Sequence, residues 1–151
     1  MKAYYYLFAG LERSIPTFER IVASVPAEKL NTQTDPDRFT LHEAICHIAD
    51  WETIMRGRLE DMVRTSGATL VGMDEGQRAI DQNYGSWNLK DAFAKWKEER
   101  AKTVAFLKGL TEEQWDHKGV HTEIGPVTVR QYATAMLGHD MYHLEHVSQY
   151  L

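Results

Sequence analysis

The sequence predicts an all-α protein with the architecture of a four-helix bundle. Apolar residues recur at spacings of three and four in four long stretches, the period of a helix with one buried face. Two of these stretches open with the capping-box pattern Thr-x-x-Glu or Thr-x-x-Gln. No stretch shows the sustained alternation that would predict a sheet. Four amphipathic helices without a sheet bury their apolar faces by packing as a bundle.

The first helix is predicted by an apolar stripe at Tyr4, Phe8, Leu11, Ile15, Phe18, Val22 and Val25. Pro16 falls inside this stripe, which predicts either a kink or a restart capped by Ser14. The second helix begins after a capping box formed by Thr40 and Glu43. Its buried face follows Leu41, Ile45, Ile48, Met55, Leu59 and Met62.

The third helix is predicted along Leu89, Phe93, Trp96, Val104 and Leu107. The fourth opens at a capping box of Thr128 and Gln131 and continues along Val129, Tyr132, Ala133, Met136, Leu137, Leu144 and Val147. Residues 65–87 are rich in glycine and polar residues, which predicts a short helix or a segment that lines a site. Residues 117–129 are predicted as a β-like excursion with a Gly-Pro step.

Length and composition narrow the class of protein. A chain of 151 residues predicts one domain, residues 1–151. The net charge of −5 and the lack of a basic cluster argue against a nucleic-acid partner, and no apolar run is long enough to cross a membrane. The single cysteine, Cys46, excludes an intrachain disulfide. Together with a first segment unlike a signal peptide, it predicts a cytoplasmic protein.

The segment FTLHEAICHIADWE, residues 39–52, partly matches the zinc-protease motif H-E-x-x-H. The second histidine comes one residue late, at His47. At 100° per residue, His42 and His47 are about 140° apart on a helix, so they cannot reach one metal together. Glu43 already has a role in the capping box with Thr40. The segment is therefore not predicted to be a metalloprotease motif.

The seven histidines suggest a different site. His139 and His143 are four residues apart, which separates them by about 40° on a helix, the spacing at which two imidazoles reach one metal. Both lie along the edge of the buried face of the fourth helix, and His47 lies at the edge of the second. The pattern is compatible with a metal at a seam of the bundle and also with packing histidines. The residues alone leave both interpretations open.

The stretches RFTLHEAICHIADWE and GPVTVRQYATAMLGHDMYHLEHVSQ resemble the DinB/YfiT-like metalloprotein superfamily, and the resemblance spans nearly the whole chain. It implies a four-helix bundle in up-up-down-down order. It also implies a divalent metal ion held by one histidine of the second helix and a His-x-x-x-His pair of the last helix. Carried over, these ligands are His47, His139 and His143. Zinc or nickel is the expected metal, with iron or manganese as alternatives.

The chain departs from this family in one place. After the histidine pair, relatives often carry a Gly-Gln step, whereas this chain has Glu145 and His146. His146 is predicted to support the ligands or to lie on the surface, rather than to be a fourth ligand. His117 and His121 precede the fourth helix and are predicted to be exposed to solvent.

Neighbouring residues complete the predicted site. Asp50 and Asp140 are candidates to orient an imidazole through its second nitrogen. Trp51 follows His47 by one turn and is predicted to wall the site. Cys46 is predicted to be a buried thiol rather than a nucleophile. A ferritin-like di-iron site is excluded because the chain has no Glu-x-x-His motif.

Three neutral imidazoles leave a divalent metal with its full charge and an open position, which is typical of catalytic sites. Members of the family include thiol-dependent transferases and isomerases. The sequence therefore predicts a metal-dependent enzyme, a thiol S-transferase or a hydrolase, with a small-molecule substrate and a low-molecular-weight thiol as candidate partner. No catalytic residue stands out beyond the ligands.

The alternatives are a non-catalytic metal-binding bundle and a structural bundle whose histidines cluster by accident. The resemblance also predicts a homodimer.

Overall fold

The computed structural model describes residues 2–151; Met1, the first residue of the predicted domain, lies outside the described part. Four long helices form the bundle: α1 (Tyr5–Ser24), α2 (Leu41–Arg64), α4 (Leu89–Lys108) and α6 (Val129–Ser148). Two short helices, α3 (Glu75–Asp81) and α5 (Glu112–Trp115), and three short strands, β1 (Ala68–Leu70), β2 (Lys118–His121) and β3 (Gly125–Thr128), occupy the connections. The predicted four-helix bundle is confirmed.

The helix starts follow the predicted capping chemistry. At the start of α2, the Glu43 N–H donates to Thr40 Oγ1 at 3.2 Å, and the Thr40 N–H donates to the Glu43 carboxylate at 3.0 Å. Thr128 and Gln131 form the same reciprocal pair at the start of α6. Glu43 is thus occupied as a cap. Helix α1 continues through Pro16 without a restart at Ser14.

Long-range contacts define the directions of the helices. Helix α1 runs parallel to α6, because Tyr4 contacts Arg130 and Ser14 contacts Asp140, so the residue numbers rise together. Helix α2 runs antiparallel to α6, since His47 meets His139 while Arg58 reaches back to Tyr132.

Helices α2 and α4 are parallel. Asp50 of α2 lies near Lys95 of α4, and further along both helices Met62 and Leu107 belong to the same apolar cluster. The order along the chain is therefore up-down-down-up. The bundle is as predicted, but the up-up-down-down order is corrected. Parallel neighbours need a connection that travels the length of the bundle, and the segment between α2 and α4 does so. Val71 of this segment contacts Arg58 in the second half of α2, and Arg78 contacts Asp50 in the first half, so the segment runs back along the helix.

A small sheet covers the end of the bundle where α2 finishes. The strands lie in the order β1-β2-β3, with β1 parallel and β3 antiparallel to β2. The predicted β-like excursion is thus the β2–β3 hairpin, while β1 was not predicted. Gly119 on β2 packs so closely on Met62 that a Cβ atom there would lie 2.7 Å from the Met62 Cγ.

The sheet also explains why two histidines are not exposed as predicted. The alternation of strand β2 turns His121 inward, where it is buried. His117 is half-buried, and its Nδ1 lies 3.1 Å from the Val63 carbonyl at the end of α2. A ring N–H there satisfies a carbonyl that the helix leaves free.

The interior has two apolar clusters and a polar layer between them. One cluster surrounds the start of α2 and includes Phe18, Ile45 and Trp96; the other includes Leu59 and Met136. Cys46 lies within the first cluster, and burial raises the pKa of its thiol to about 12, as expected for an inert thiol. Among residues 2–151, no helix is long and apolar enough to cross a membrane.

Candidate metal centre

Three histidines converge where α2 crosses α6. The Nε2 atom of His139 lies 3.1 Å from Nε2 of His47 and 3.2 Å from Nε2 of His143. Within the described part of the chain, these form the one group of three or more His, Cys, Asp or Glu residues whose ligand atoms all lie within 4.8 Å of one another. The structure therefore brings together the three histidines that the resemblance singled out.

The spacing of these nitrogens fits a shared cation better than hydrogen bonding. The central Nε2, on His139, either carries one hydrogen or offers one lone pair, so it cannot form good hydrogen bonds with both neighbours. Two nitrogens about 2.1 Å from one cation lie roughly 3.0 Å apart in octahedral and roughly 3.4 Å apart in tetrahedral geometry. The observed 3.1 and 3.2 Å fall between these values.

Burial keeps the imidazoles in the neutral form that binds metals. Burial, reinforced by His139, lowers the pKa of His47 to about 3. Burial and the charge of Arg100 lower the pKa of His139 to about 4. The pKa of His143 is lowered further, by burial and by the two neighbouring imidazoles. Each imidazole therefore has one nitrogen lone pair to offer a metal at neutral pH, and Nε2 offers it when the ring hydrogen is on Nδ1.

Aromatic rings hold His47 in place. Its ring centroid lies 4.9 Å from Trp51 and 5.1 Å from Phe39. Trp51 thus walls the cluster as predicted. The prediction that Asp50 or Asp140 orients an imidazole is wrong, because Nδ1 of His47 and Nδ1 of His143 have no hydrogen-bond partner among residues 2–151. Packing, rather than a carboxylate, sets the orientation of these rings.

Asp50 instead fastens the long connection to α2. Its carboxylate accepts hydrogen bonds from Arg78 Nε at 2.5 Å and from the Tyr84 hydroxyl at 2.9 Å, and Lys95 lies 3.4 Å away. Burial raises the pKa of Asp50, but the bonds from Arg78 and Tyr84 outweigh burial and hold this pKa below its usual value. The ionised carboxylate therefore holds α3 and the turn after it against the helix that carries His47.

Asp140 belongs to a buried charge network. Arg100 donates to both Asp140 oxygens, at 2.7 and 3.0 Å, and to Glu52 at 2.7 Å. Ser14 and Thr103 supply further hydrogen bonds to these carboxylates, at 2.6 and 2.7 Å. Asp140 is thus paired with Arg100 rather than with an imidazole. The network joins α1, α2, α4 and α6, and the roles of Glu52 and Arg100 were not predicted from the sequence.

One more carboxylate approaches the histidines. Glu75, the first residue of α3, places Oε2 3.8 Å from Nε2 of His47. Burial and the charge of Glu123 raise the pKa of Glu75. Sequence reasoning predicted that this connection could line a site but did not identify Glu75. A glutamate in an aperiodic segment gives no signal of its own.

A cleft gives access to the cluster from the side of His143. It has a volume of about 320 Å³ and is lined by Pro36, Asp37, Arg38, Phe39, Glu75, Gly76, Tyr142, His143 and His146. His146 is buried, so the surface position considered for it is wrong; it lines the cleft, and its Nε2 has no hydrogen-bond partner in the described structure. Arg38 pairs with Glu145 at 2.9 Å beside the cleft. The cleft can admit a small molecule to the histidines.

Comparison with known proteins places the chain in a family. The sequence model of the DinB superfamily matches residues 11–147. The fold is similar to that of YfiT from Bacillus subtilis, described as a probable metal-dependent hydrolase with an unusual four-helix bundle topology. That match has a TM-score of 0.88 and 16% identity, and covers 95% of this chain and 83% of YfiT.

Two further solved structures share the fold. The mycothiol-dependent maleylpyruvate isomerase matches with a TM-score of 0.74 and 10% identity, over 93% of this chain but only 59% of the isomerase. The DinB-like protein YjoA of Bacillus subtilis matches with a TM-score of 0.64 and 17% identity, over 95% of this chain and 87% of YjoA. No curated protein sequence matches the chain.

Proposed function

The chain belongs to the DinB superfamily, and from that we propose that it is a divalent-metal-dependent enzyme whose metal ligands are His47, His139 and His143. The reaction is thiol S-transfer or hydrolysis of a small molecule. The observation that carries this proposal is the convergence of three Nε2 atoms of neutral imidazoles, with separations of 3.1 and 3.2 Å, where the central nitrogen cannot hydrogen-bond both of its neighbours.

An enzyme fits better than a structural metal site. Structural zinc sites have four protein ligands, whereas three imidazoles leave a position open. The cleft of about 320 Å³ reaches His143, so a small molecule can approach that position. A divalent cation held by neutral ligands lowers the pKa of a water or thiol that binds it. The rival function, a non-catalytic metal-binding bundle, does not account for the cleft.

The choice between thiol transfer and hydrolysis draws on the similar structures. One is described as a mycothiol-dependent isomerase and another as a probable metal-dependent hydrolase. We propose a low-molecular-weight thiol as the partner of the transferase reaction. Zinc or nickel is the proposed metal, because imidazole ligands suit both; iron, which imidazole also suits, and manganese are the alternatives.

Assembly and location are also proposals. We propose that residues 1–151 form one domain that works as a homodimer in the cytoplasm. Exposed Tyr5, Tyr6 and Met141 are apolar surface that an interface between subunits would cover. Sedimentation that gives only the 17.4 kDa species at micromolar concentration would contradict the dimer.

The test of function is elemental analysis of gently purified protein beside a screen for thiol transfer and ester or amide hydrolysis. We expect one divalent metal per chain, and turnover that a chelator abolishes and added metal restores. Turnover that persists after verified removal of the metal would contradict the proposal. Stoichiometric metal without turnover in any assay would favour the non-catalytic bundle.

A further inference from the structure

Glu75 stands just outside the cluster of imidazole nitrogens. Its Oε2 lies 3.8 Å from Nε2 of His47, whereas the imidazole nitrogens lie 3.1 and 3.2 Å from Nε2 of His139. Ligands of one cation are separated by roughly 3.0 to 3.4 Å when adjacent. The carboxylate is therefore too far out to be a fourth adjacent ligand, and near enough to contact a molecule that binds beside His47.

The position of Glu75 is fixed by the bundle itself. Asp74 caps α3 by accepting the Gln77 N–H at 2.9 Å. One turn later, Arg78 is bound to the buried Asp50 at 2.5 Å. Asp50 lies three residues after His47 on α2, so one helix carries both the imidazole and the anchor of α3. Glu75 and His47 are thus held in one frame.

The charges around Glu75 leave it available to a ligand. The charges that act on the pKa of Glu75 are those of two carboxylates, Glu123 and Asp74, which raise it, and of the Arg58 guanidinium, which lowers it. Arg58 is engaged with Tyr132 at 2.9 Å and with the Val71 carbonyl. Within residues 2–151, the Glu75 carboxylate has no side-chain hydrogen bond, and its side chain, 50% exposed, lines the cleft beside His143.

We propose that Glu75 accepts a hydrogen bond from the O–H or S–H group of the molecule that binds between the cleft and the three histidines. The inference rests on the proposed function, because it needs a cation at His47, His139 and His143. Oε2 would turn the hydrogen of the ligand toward itself and the lone pair of the ligand toward the cation. The negative charge would also favour neutral ligands that bring a hydrogen and disfavour anions that do not.

The opposing effects on two probes test this role. The protein is loaded with cobalt(II), and binding of 2-mercaptoethanol and of azide is followed at pH 7 by visible absorption. At this pH free 2-mercaptoethanol brings its hydrogen to the site, because a free thiol titrates near about 8.5. When the sulfur binds the cation, that hydrogen is shared with, or passes to, the Glu75 carboxylate. In Glu75→Gln the uncharged amide oxygen is a weaker acceptor and cannot take up the hydrogen as a carboxylate can, so we expect 2-mercaptoethanol to bind about tenfold more weakly. We expect azide to bind severalfold more tightly, because the repulsion is gone.

Asp81→Asn is the matched control, since it removes a carboxylate from the other end of the same helix, where Asp81 accepts only from Gln77. It should change neither affinity. Arg78→Gln, which loosens α3, should weaken binding of the thiol in the same direction as Glu75→Gln. If both probes respond to Glu75→Gln in the same sense, or not at all, Glu75 is not the acceptor. If the wild-type protein binds no cobalt or zinc, the proposed function itself fails, whatever Glu75 does.

Discussion

Two polar groups of residues share the interior of this bundle, and they solve the problem of burial in opposite ways. In the network of Glu52, Arg100 and Asp140, each charged group meets an opposite charge at 2.7 Å, and the hydroxyls of Ser14 and Thr103 donate further hydrogen bonds to the two carboxylates. In the histidine cluster, His139 and its two neighbours bring together three nitrogens of one kind. The first group pairs its charges within the protein and leaves one N–H, on Arg100 Nε, without a partner among residues 2–151, whereas the nitrogens of the second group cannot all pair with one another.

This difference separates a structural group from a binding group. Buried polar atoms are costly unless they are paired, so a set that pairs internally serves the fold. Several nitrogens of the same kind do not stabilise the fold by lying close together. Their proximity becomes favourable only when another species, such as a cation, binds between them. Proximity alone therefore does not identify a site; the chemical likeness of the converging atoms does.

The largest expected effect on stability comes from breaking the charge network of Glu52, Arg100 and Asp140. Arg100→Met leaves Glu52 and Asp140 buried without their cation, and should lower the free energy of unfolding by about 3–5 kcal/mol. Urea denaturation of the metal-free protein measures this loss. Lys102→Met, which removes the ion pairs of an exposed lysine with Glu98 and Glu99 on the same helix, should leave the stability nearly unchanged. A loss below about 1 kcal/mol for Arg100→Met would mean that the network does not hold the bundle.

Substitutions in the histidine cluster should have the opposite pattern of effects, with a large loss of zinc affinity and a small loss of stability. His139→Ala should weaken zinc binding at least about 100-fold, while lowering the stability of the metal-free protein by less than about 2 kcal/mol. Competition with a zinc chelator and urea denaturation measure the two quantities. His117→Ala, whose imidazole contacts only carbonyls of α2, should bind zinc as the wild type does. Equal zinc affinity in His139→Ala and wild type would refute the site.

Low pH should lower the stability of the metal-free protein through the histidine cluster. The pKa values of His47 and His139 are lowered to about 3 and about 4, so below pH 6.5 the unfolded chain binds more protons than the folded one. Stability of the metal-free protein should therefore fall from pH 6.5 toward pH 3. At pH 5.5 we expect a loss on the order of 1 kcal/mol for each imidazole.

Urea denaturation at pH 7.0 and pH 5.5 measures this loss. His139→Ala should show a smaller loss than wild type, because one buried imidazole has been removed. Saturation with zinc should also reduce the loss, since zinc competes with the protons. A metal-free protein that is equally stable at both pH values would show that the imidazoles are not held neutral.

The smallest effect concerns the start of α2, which belongs to neither group. Thr40→Ala removes an acceptor for a free backbone N–H and should lower the free energy of unfolding by about 1 kcal/mol, measured by thermal denaturation. Glu43→Gln can still accept the Thr40 N–H, so both zinc affinity and activity should be nearly unchanged. Loss of turnover in a folded Glu43→Gln variant would show that the H-E pair is catalytic after all.

Helix period alone predicted the positions of the three histidines on their helix faces, because each position is local; the resemblance to the DinB/YfiT-like superfamily joined them into one site. His139 and His143 share a helix face by their spacing, and His47 lies at the edge of another amphipathic face. Capping boxes likewise depend on residues three positions apart. These features need only the period of a helix, which the apolar stripes reveal.

What the sequence did not reveal depends on contacts between distant segments. Nothing near Glu52 in the sequence announces its pairing with Arg100, and nothing in residues 65–87 distinguishes Glu75 from other surface acids. His121 became buried because β1, a strand without a sequence signal, pairs with β2. The direction of each helix was missed for the same reason, since it depends on the path of a long connection.

That path has a consequence for the kinetics of folding. The helices joined by turning connections, α1 with α2 and α4 with α6, lie across the diagonals of the bundle rather than side by side. No pair of successive helices can therefore zip together as a local hairpin, and contacts such as Ser14 with Asp140 join residues 126 positions apart. The chain must lose the entropy of closing such loops before most of the stabilising contacts can form. The chain should fold more slowly than an up-down-up-down bundle of its size, in milliseconds or longer rather than in microseconds.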